Sequence, residues 1–186
     1  NWTLEKAQHK NAKWYLSLIS FAESSFFPIP PDILLIPMAL ASKAKALFYA
    51  FICTLFSVLG GILGYAIGYF FFNSVGIYIV EFYHLENSFS VFEDYYREFG
   101  ILIVLGAGIT PFPYKFITIA SGVFGLNIFL FIIVSIIGRG SRFYLIALLL
   151  YFFGERIRLI IDKYFNILTI AFFILLVGSV FIIRFL

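Results

Sequence analysis

FPIPPD, residues Phe27 to Asp32, interrupts an apolar run with three prolines and ends on a carboxylate. TPFPYK, Thr110 to Lys115, interrupts a second apolar run in the same way and ends on an ammonium. A shift of 83 positions carries Pro28 onto Pro111, Pro30 onto Pro113 and Asp32 onto Lys115. The same shift brings Ala39 to Gly122 and Ser42 to Gly125, and one residue of slippage aligns Tyr69-Phe70-Phe71 with Tyr151-Phe152-Phe153. Proline lacks an amide donor and breaks a helix where it falls. The recurrence reads as an internal duplication with opposite charges at equivalent points. Broken helices at matching positions in two halves are the pattern of secondary transporters.

Composition sets the solvent. The 186 residues are 62% hydrophobic and 12% charged, with a mean hydropathy of +1.02. A soluble domain carries about 25% charged residues, so this chain has too little polar surface to cover itself in water. An integral membrane protein is expected. One cysteine and two distant histidines, His9 and His84, give no disulfide framework and no zinc or haem set, so neither cofactor nor metal is expected. Cys53 reads as a small buried hydrophobe. The pI near 9.0 does not point to nucleic acid, because the basic residues divide between short loops and apolar segments. Asn1 to Lys13 is not followed by a small-residue cleavage site, so no signal peptide is expected.

Segment lengths give the topology. Asn1 to Lys13 reads as an interfacial helix. Trp14 to Phe27 and Ile33 to Ala41 are each too short to span, since a crossing needs about 20 apolar residues. Around the prolines they form a re-entrant hairpin, and broken backbone at membrane depth marks a cavity. Ala46 to Phe72 is a full crossing, with Gly60, Gly64 and Gly68 at four-residue spacing beside Gly61. That is a packing stripe, which also permits a homodimer. Asn73 to Phe99 reads as one or two amphipathic surface helices. Gly100 to Phe124 is a second hairpin, Asn127 to Phe153 a second crossing, Gly154 to Tyr164 a polar turn, and Phe165 to Phe185 a last crossing. The expected fold is an all-α integral membrane protein in a single domain. Repeat 1 covers about 14–72, the connection 73–99, repeat 2 about 100–153, and the C-terminal helix 165–186.

Lys6, Lys10, Lys13, Lys43, Lys45, Arg156, Arg158 and Lys163 fall on one face of this topology, against Arg97 and Arg184 on the other. The excess places the N-terminus in the cytoplasm and the C-terminus outside. Each repeat has one net crossing, so the two hairpins enter from opposite faces and the repeats are inverted.

Five ionisable residues remain inside: Glu23, Asp32, Lys115, Arg139 and Arg142. Unpaired, they oppose insertion by on the order of 10 kcal/mol. Asp32 opens a half-helix, where an acid stabilises the first amides and the positive dipole end, or carries protons or substrate. Glu23, beside Ser24 and Ser25, suits a proton carrier. Lys115 binds an anion or snorkels. Arg139 and Arg142 share a helix face. Either they make fixed salt bridges to Glu23 and Asp32, or they hold an anion bidentately. Three bases against two acids leave one positive charge, which an anionic head group would balance.

ESSFFPIPPD (Glu23 to Asp32), GITPFPYKFITIASGVFGLN (Gly108 to Asn127) and GRGSRFYLIA (Gly138 to Ala147) resemble the DedA family of bacterial inner-membrane proteins. This is the VTT-domain or SNARE-associated group, in its YqaA-like branch, and the resemblance covers roughly residues 14 to 153. It implies two re-entrant loops facing each other, and movement of undecaprenyl phosphate or glycerophospholipids with proton or sodium coupling. The family's essential acids would fall on Glu23 and Asp32. Many members carry two arginines around the second break, where this chain has Gly108 and Tyr114-Lys115. Lys115 with Arg139 and Arg142 would then supply the positive charge. The expected function is therefore flipping or scrambling of an anionic lipid. Proton-driven efflux of a small molecule and a non-transporting envelope scaffold are the alternatives. No nucleophile–base pair, GxGxxG or P-loop suggests an enzyme.

Overall fold

In the computed structural model, residues 11–25, 30–82, 84, 86–110, 112–154 and 156 are described. Residues 1–10, Pro28, Pro111 and the expected C-terminal helix 165–186 lie outside them. The described chain is all-helical, with no strand. Its elements are α1 (Ala12–Ser25), α2 (Asp32–Ala41), a 3₁₀ turn (Lys43–Lys45), α3 (Ala46–Phe71), a π turn (Phe72–Gly76), α4 (Ile77–Phe82), α5 (Glu86–Ile109) and α6 (Tyr114–Val123). The last, α7, spans Ile128–Gly154. Among the described residues, two stretches are long and apolar enough to cross a membrane: Lys43–Gly76, which contains α3, and α7.

The proline breaks produce two helices of equal length. Pro31, at φ −65°, leads into α2, and the carbonyls of Pro30 and Pro31 take the amides of Ile33, Leu34 and Leu35. Pro113 leads into α6, and both helices are ten residues long. Pro37 lies inside α2, where it removes one further donor. At the end of α6, Leu126 N bonds Ser121 O and Gly125 N bonds Gly122 O, with Gly125 at φ +63°. This left-handed cap closes one helix. Asn127 then opens the next, its Oδ1 accepting from Phe129 N and Leu130 N. A Cβ on Gly125 would meet open space, so Gly125→Ala tests the backbone alone. It should cost about 1–2 kcal/mol, read as a lower thermal midpoint in detergent.

The connection differs from expectation. Residues 73–99 do not form separate surface helices. The helix of α3 runs on through the π turn into α4, and α5 carries residues 86–99 straight into the first arm of the second hairpin. The expected ends at Phe72 and Gly100 were placed at changes of polarity. A change of polarity removes no backbone hydrogen bond, and no proline lies between Ala46 and Ile109.

The glycine stripe of α3 organises the packing. A Cβ on Gly60 would overlap the Phe21 carbonyl of α1, and one on Gly68 would overlap the Ile119 carbonyl of α6. At Gly64 it would strike Thr118 and come within 3.1 Å of the Ser24 carbonyl. Both hairpins thus lean on one helix face and meet there, the Thr118 hydroxyl donating to Ser24 O at 3.0 Å. The stripe is filled within the chain, so a homodimer would need another surface. On α7, Gly140 faces Thr54 and Phe131 faces Tyr65, so α7 runs antiparallel to α3. α5 reaches α7 where Gly108 touches Gly138. α2 joins the far end of α7 in a buried cluster of Leu35, Met38, Phe143, Ala147 and Leu150. Thus α3 packs against α1, α2 and α6, and α7 packs against α2 and α5.

Candidate functional site

Two apolar clusters leave a polar layer between them. One joins α2 to the first part of α3 and the last part of α7, and the other gathers Val104, Ala107, Tyr114 and Phe131. Along α3 the layer falls at Ser57, and along α7 at Ser135, Arg139 and Arg142.

Arg139 is 1% exposed, the largest of the fully buried side chains among the described residues. Its Nη2 donates to Glu23 Oε2 at 2.5 Å and its Nε to Ser57 Oγ at 2.6 Å. Ser24 Oγ lies 3.1 Å from the same Glu23 oxygen and 2.6 Å from Ser57 Oγ. The guanidinium also lies 5.0 Å from the Tyr114 ring and 4.7 Å from the Phe143 ring. Tyr114 is in turn held by a 2.6 Å hydrogen bond between its hydroxyl and Ser135 Oγ. Two aromatic rings, the Glu23 carboxylate and the Ser57 hydroxyl enclose the guanidinium. A guanidinium is weakly hydrated and stacks on rings, which suits it to this place better than an ammonium.

One turn along α7, Arg142 links the two breaks. Its Nη2 bonds Asp32 Oδ2 at the start of α2, and its Nη1 donates to the Thr110 carbonyl at the second break, 2.6 Å away. This pair is less enclosed than the first. The side chains of Arg142 and Asp32 keep 16% and 18% of their surface, and Asp32 Oδ1 is buried without a hydrogen-bond partner among the described residues. Asp32 makes no capping bond among the described residues. The first-turn amides already have the proline carbonyls, which leaves the carboxylate to the arginine.

The chain has two relatives of matching length. An "Uncharacterized protein" of Haemophilus influenzae is 36% identical over 182 residues, covering 98% of this chain and 94% of the relative. An "Uncharacterized protein HI0703 homolog" of Histophilus somni is 36% identical over 157 residues, covering 83% of this chain and 80% of the relative. The chain belongs to the family of these two proteins. No family model and no solved structure matches it.

Of the five ionisable residues expected in the membrane, four meet as two pairs, Glu23 with Arg139 and Asp32 with Arg142. Lys115 stands apart. Its ammonium lies 5.3 Å from the neighbouring Phe116 ring, and no carboxylate among the described residues pairs with it. The expected cluster of Lys115, Arg139 and Arg142 around one ligand is not assembled, because Tyr114 takes the inward position of α6. Sequence reasoning missed Ser57, Ser135 and the Thr110 carbonyl. Ser57 was findable: it precedes Gly61 by four residues and so belongs to the small-residue face. Ser135 precedes Arg139 by the same spacing.

Proposed function

We propose that this chain is a small membrane transporter of the DedA type that flips or scrambles an anionic lipid across the bacterial inner membrane. The observation that carries the reading is the double link at the hairpin breaks, where Arg142 binds Asp32 of one and the backbone of the other. Charge gathered at the ends of two broken helices, inside an apolar bundle, suits transport better than scaffolding. The outer faces agree with a lipid solvent. Leu47, Phe51, Leu55, Leu59, Leu63 and Ile67 form an exposed row along α3 at four-residue spacing. A row of that length in water would be a large apolar patch. The matched helices α2 and α6, each behind a proline pair, fit an inverted repeat, with the N-terminus cytoplasmic.

On this reading Arg142 receives a lipid phosphate while Asp32 exchanges with it, and protons or sodium accompany the step. Of the five ionisable residues, Lys115 pairs with no carboxylate among the described residues, so the bundle keeps a positive charge that an anionic head group would balance. Glu23 and Arg139 hold the hairpins in place. The test is transbilayer movement of fluorescent phospholipid and of undecaprenyl phosphate in liposomes. Asp32→Asn and Arg142→Gln, checked for folding, should each slow movement on the order of 10- to 100-fold. That is the equivalent of one hydrogen bond to a charged group, about 1.5–3 kcal/mol. Equal movement in all three proteins would retire the charged-site mechanism. No movement in any, with solute-driven proton flux, would favour small-molecule efflux, and neither activity would favour the scaffold that the enclosed Glu23–Arg139 pair could serve.

A further inference from the structure

The two arginines are not equivalent. Arg139 has its Nε and Nη2 engaged and an aromatic ring within 5.0 Å on either of two neighbours, so an incoming anion finds no approach. Arg142 remains partly exposed, and its partner offers one oxygen only, since Asp32 Oδ1 has no hydrogen-bond partner. An arginine–carboxylate pair at its best is bidentate, with both oxygens on the fork. The Asp32–Arg142 pair is monodentate because Nη1 is turned to the Thr110 carbonyl. A phosphate monoester carries three acceptor oxygens and can take both arms of the fork.

From this asymmetry we infer that Asp32 is an internal competitor, a carboxylate seated on Arg142 where a phosphate group binds, and that the phosphate must displace it. The inference rests on the transport reading and deepens it by naming the seat. Asp32 holds the empty site neutral and links the hairpins. A phosphate that takes its place frees the carboxylate and, through the same guanidinium, loosens the hold on Thr110. When the phosphate leaves, Asp32 returns. The Glu23–Arg139 pair takes no part in the exchange, since its charges are enclosed on every side that the structure describes.

A competitor lowers apparent affinity by the fraction of time the site is free, so removing it tightens binding. The experiment measures binding of dodecyl phosphate and of inorganic phosphate by calorimetry in a non-ionic detergent, at fixed pH and salt. Asp32→Asn should bind dodecyl phosphate about tenfold or more tightly than the wild type. Glu23→Gln removes the same negative charge a short way off and should bring no such gain. Arg142→Gln placed on Asp32→Asn should abolish it. A gain for both probes assigns the seat to a phosphate group in general, and a gain for dodecyl phosphate alone assigns it to a lipid; both support the displacement. Unchanged or weaker binding by Asp32→Asn, an equal gain in Glu23→Gln, or a gain that survives Arg142→Gln would overturn it. Should Asp32→Asn fail to fold, Asp32→Ser makes the same neutral change at a helix start.

The two readings fail separately. Lipid movement by the wild type without tighter binding by Asp32→Asn sinks the displacement and leaves transport standing. Tighter phosphate binding by the variant, with no lipid movement by the wild type, does the reverse.

Discussion

Arg139→Gln should destabilise the protein by about 3–5 kcal/mol, among the largest losses available from one side chain. The substitution leaves Glu23 buried, 9% exposed, without its counter-ion, and removes the donor that Ser57 accepts. Breaking one side of a buried pair costs that much because the remaining charge is stranded. Neutralising both partners should cost much less, since a Gln–Gln pair of similar volume can still hydrogen-bond across the gap. The prediction is therefore a cycle. Arg139→Gln and Glu23→Gln should each lower the thermal midpoint in detergent sharply, and the double variant should lie nearer the wild type than their sum. Additive losses would mean that the two side chains stabilise the bundle independently, against the enclosed geometry.

Gly68→Ala and Gly122→Ala should be the other large losses, with Gly106→Ala as their control. At Gly68 an added methyl would overlap the Ile119 carbonyl, and at Gly122 the Tyr65 carbonyl, so α3 and α6 press backbone to backbone at both places. Backbone cannot step aside as a side-chain end can. Overpacking of this kind costs about 1–3 kcal/mol, and here it would separate two helices that close packing holds together. Gly106 lies on the neighbouring helix α5 with nothing within 4 Å of the added atom. Its replacement should be neutral, or stabilising by up to about 1 kcal/mol through helix propensity. Thermal midpoints of the three variants decide the matter. Equal shifts at Gly68 and Gly106 would show that the α3–α6 contact has slack.

The proline breaks and four members of the site were legible in the sequence for one reason. A helix stop or a charge inside an apolar run has a large physical cost, and a residue with such a cost stands out. The glycine stripe was legible as packing but not as the place where both hairpins meet, because spacing names a face and not its occupant. The pairing of the four charges stayed open between fixed bridges and an anion site. Bridges are what the structure holds, though with one closed and one incomplete. Lys115 was misread through a rotation. It follows Tyr114 by one residue, which on a helix is about 100° of turn, and Tyr114 points inward. The ends of the connection were misread because polarity was taken for a helix stop. Serine in an apolar helix costs little, which is why Ser57 and Ser135 stayed silent.

The separation of the ion pairs along the chain also bears on how the protein is made. Glu23 lies 116 residues ahead of Arg139, and Asp32 lies 110 ahead of Arg142. At about 5–20 residues per second, both acids leave the ribosome roughly 5–25 s before their partners exist. The first hairpin therefore cannot settle in its final place when it is born. It waits with its two acids unpaired until α7 arrives with the cations. That late helix also grips the outgoing arm of the first hairpin and the incoming arm of the second. Assembly thus closes when α7 is made, and a nascent chain cut short of Arg139 has two acids and neither of their partners.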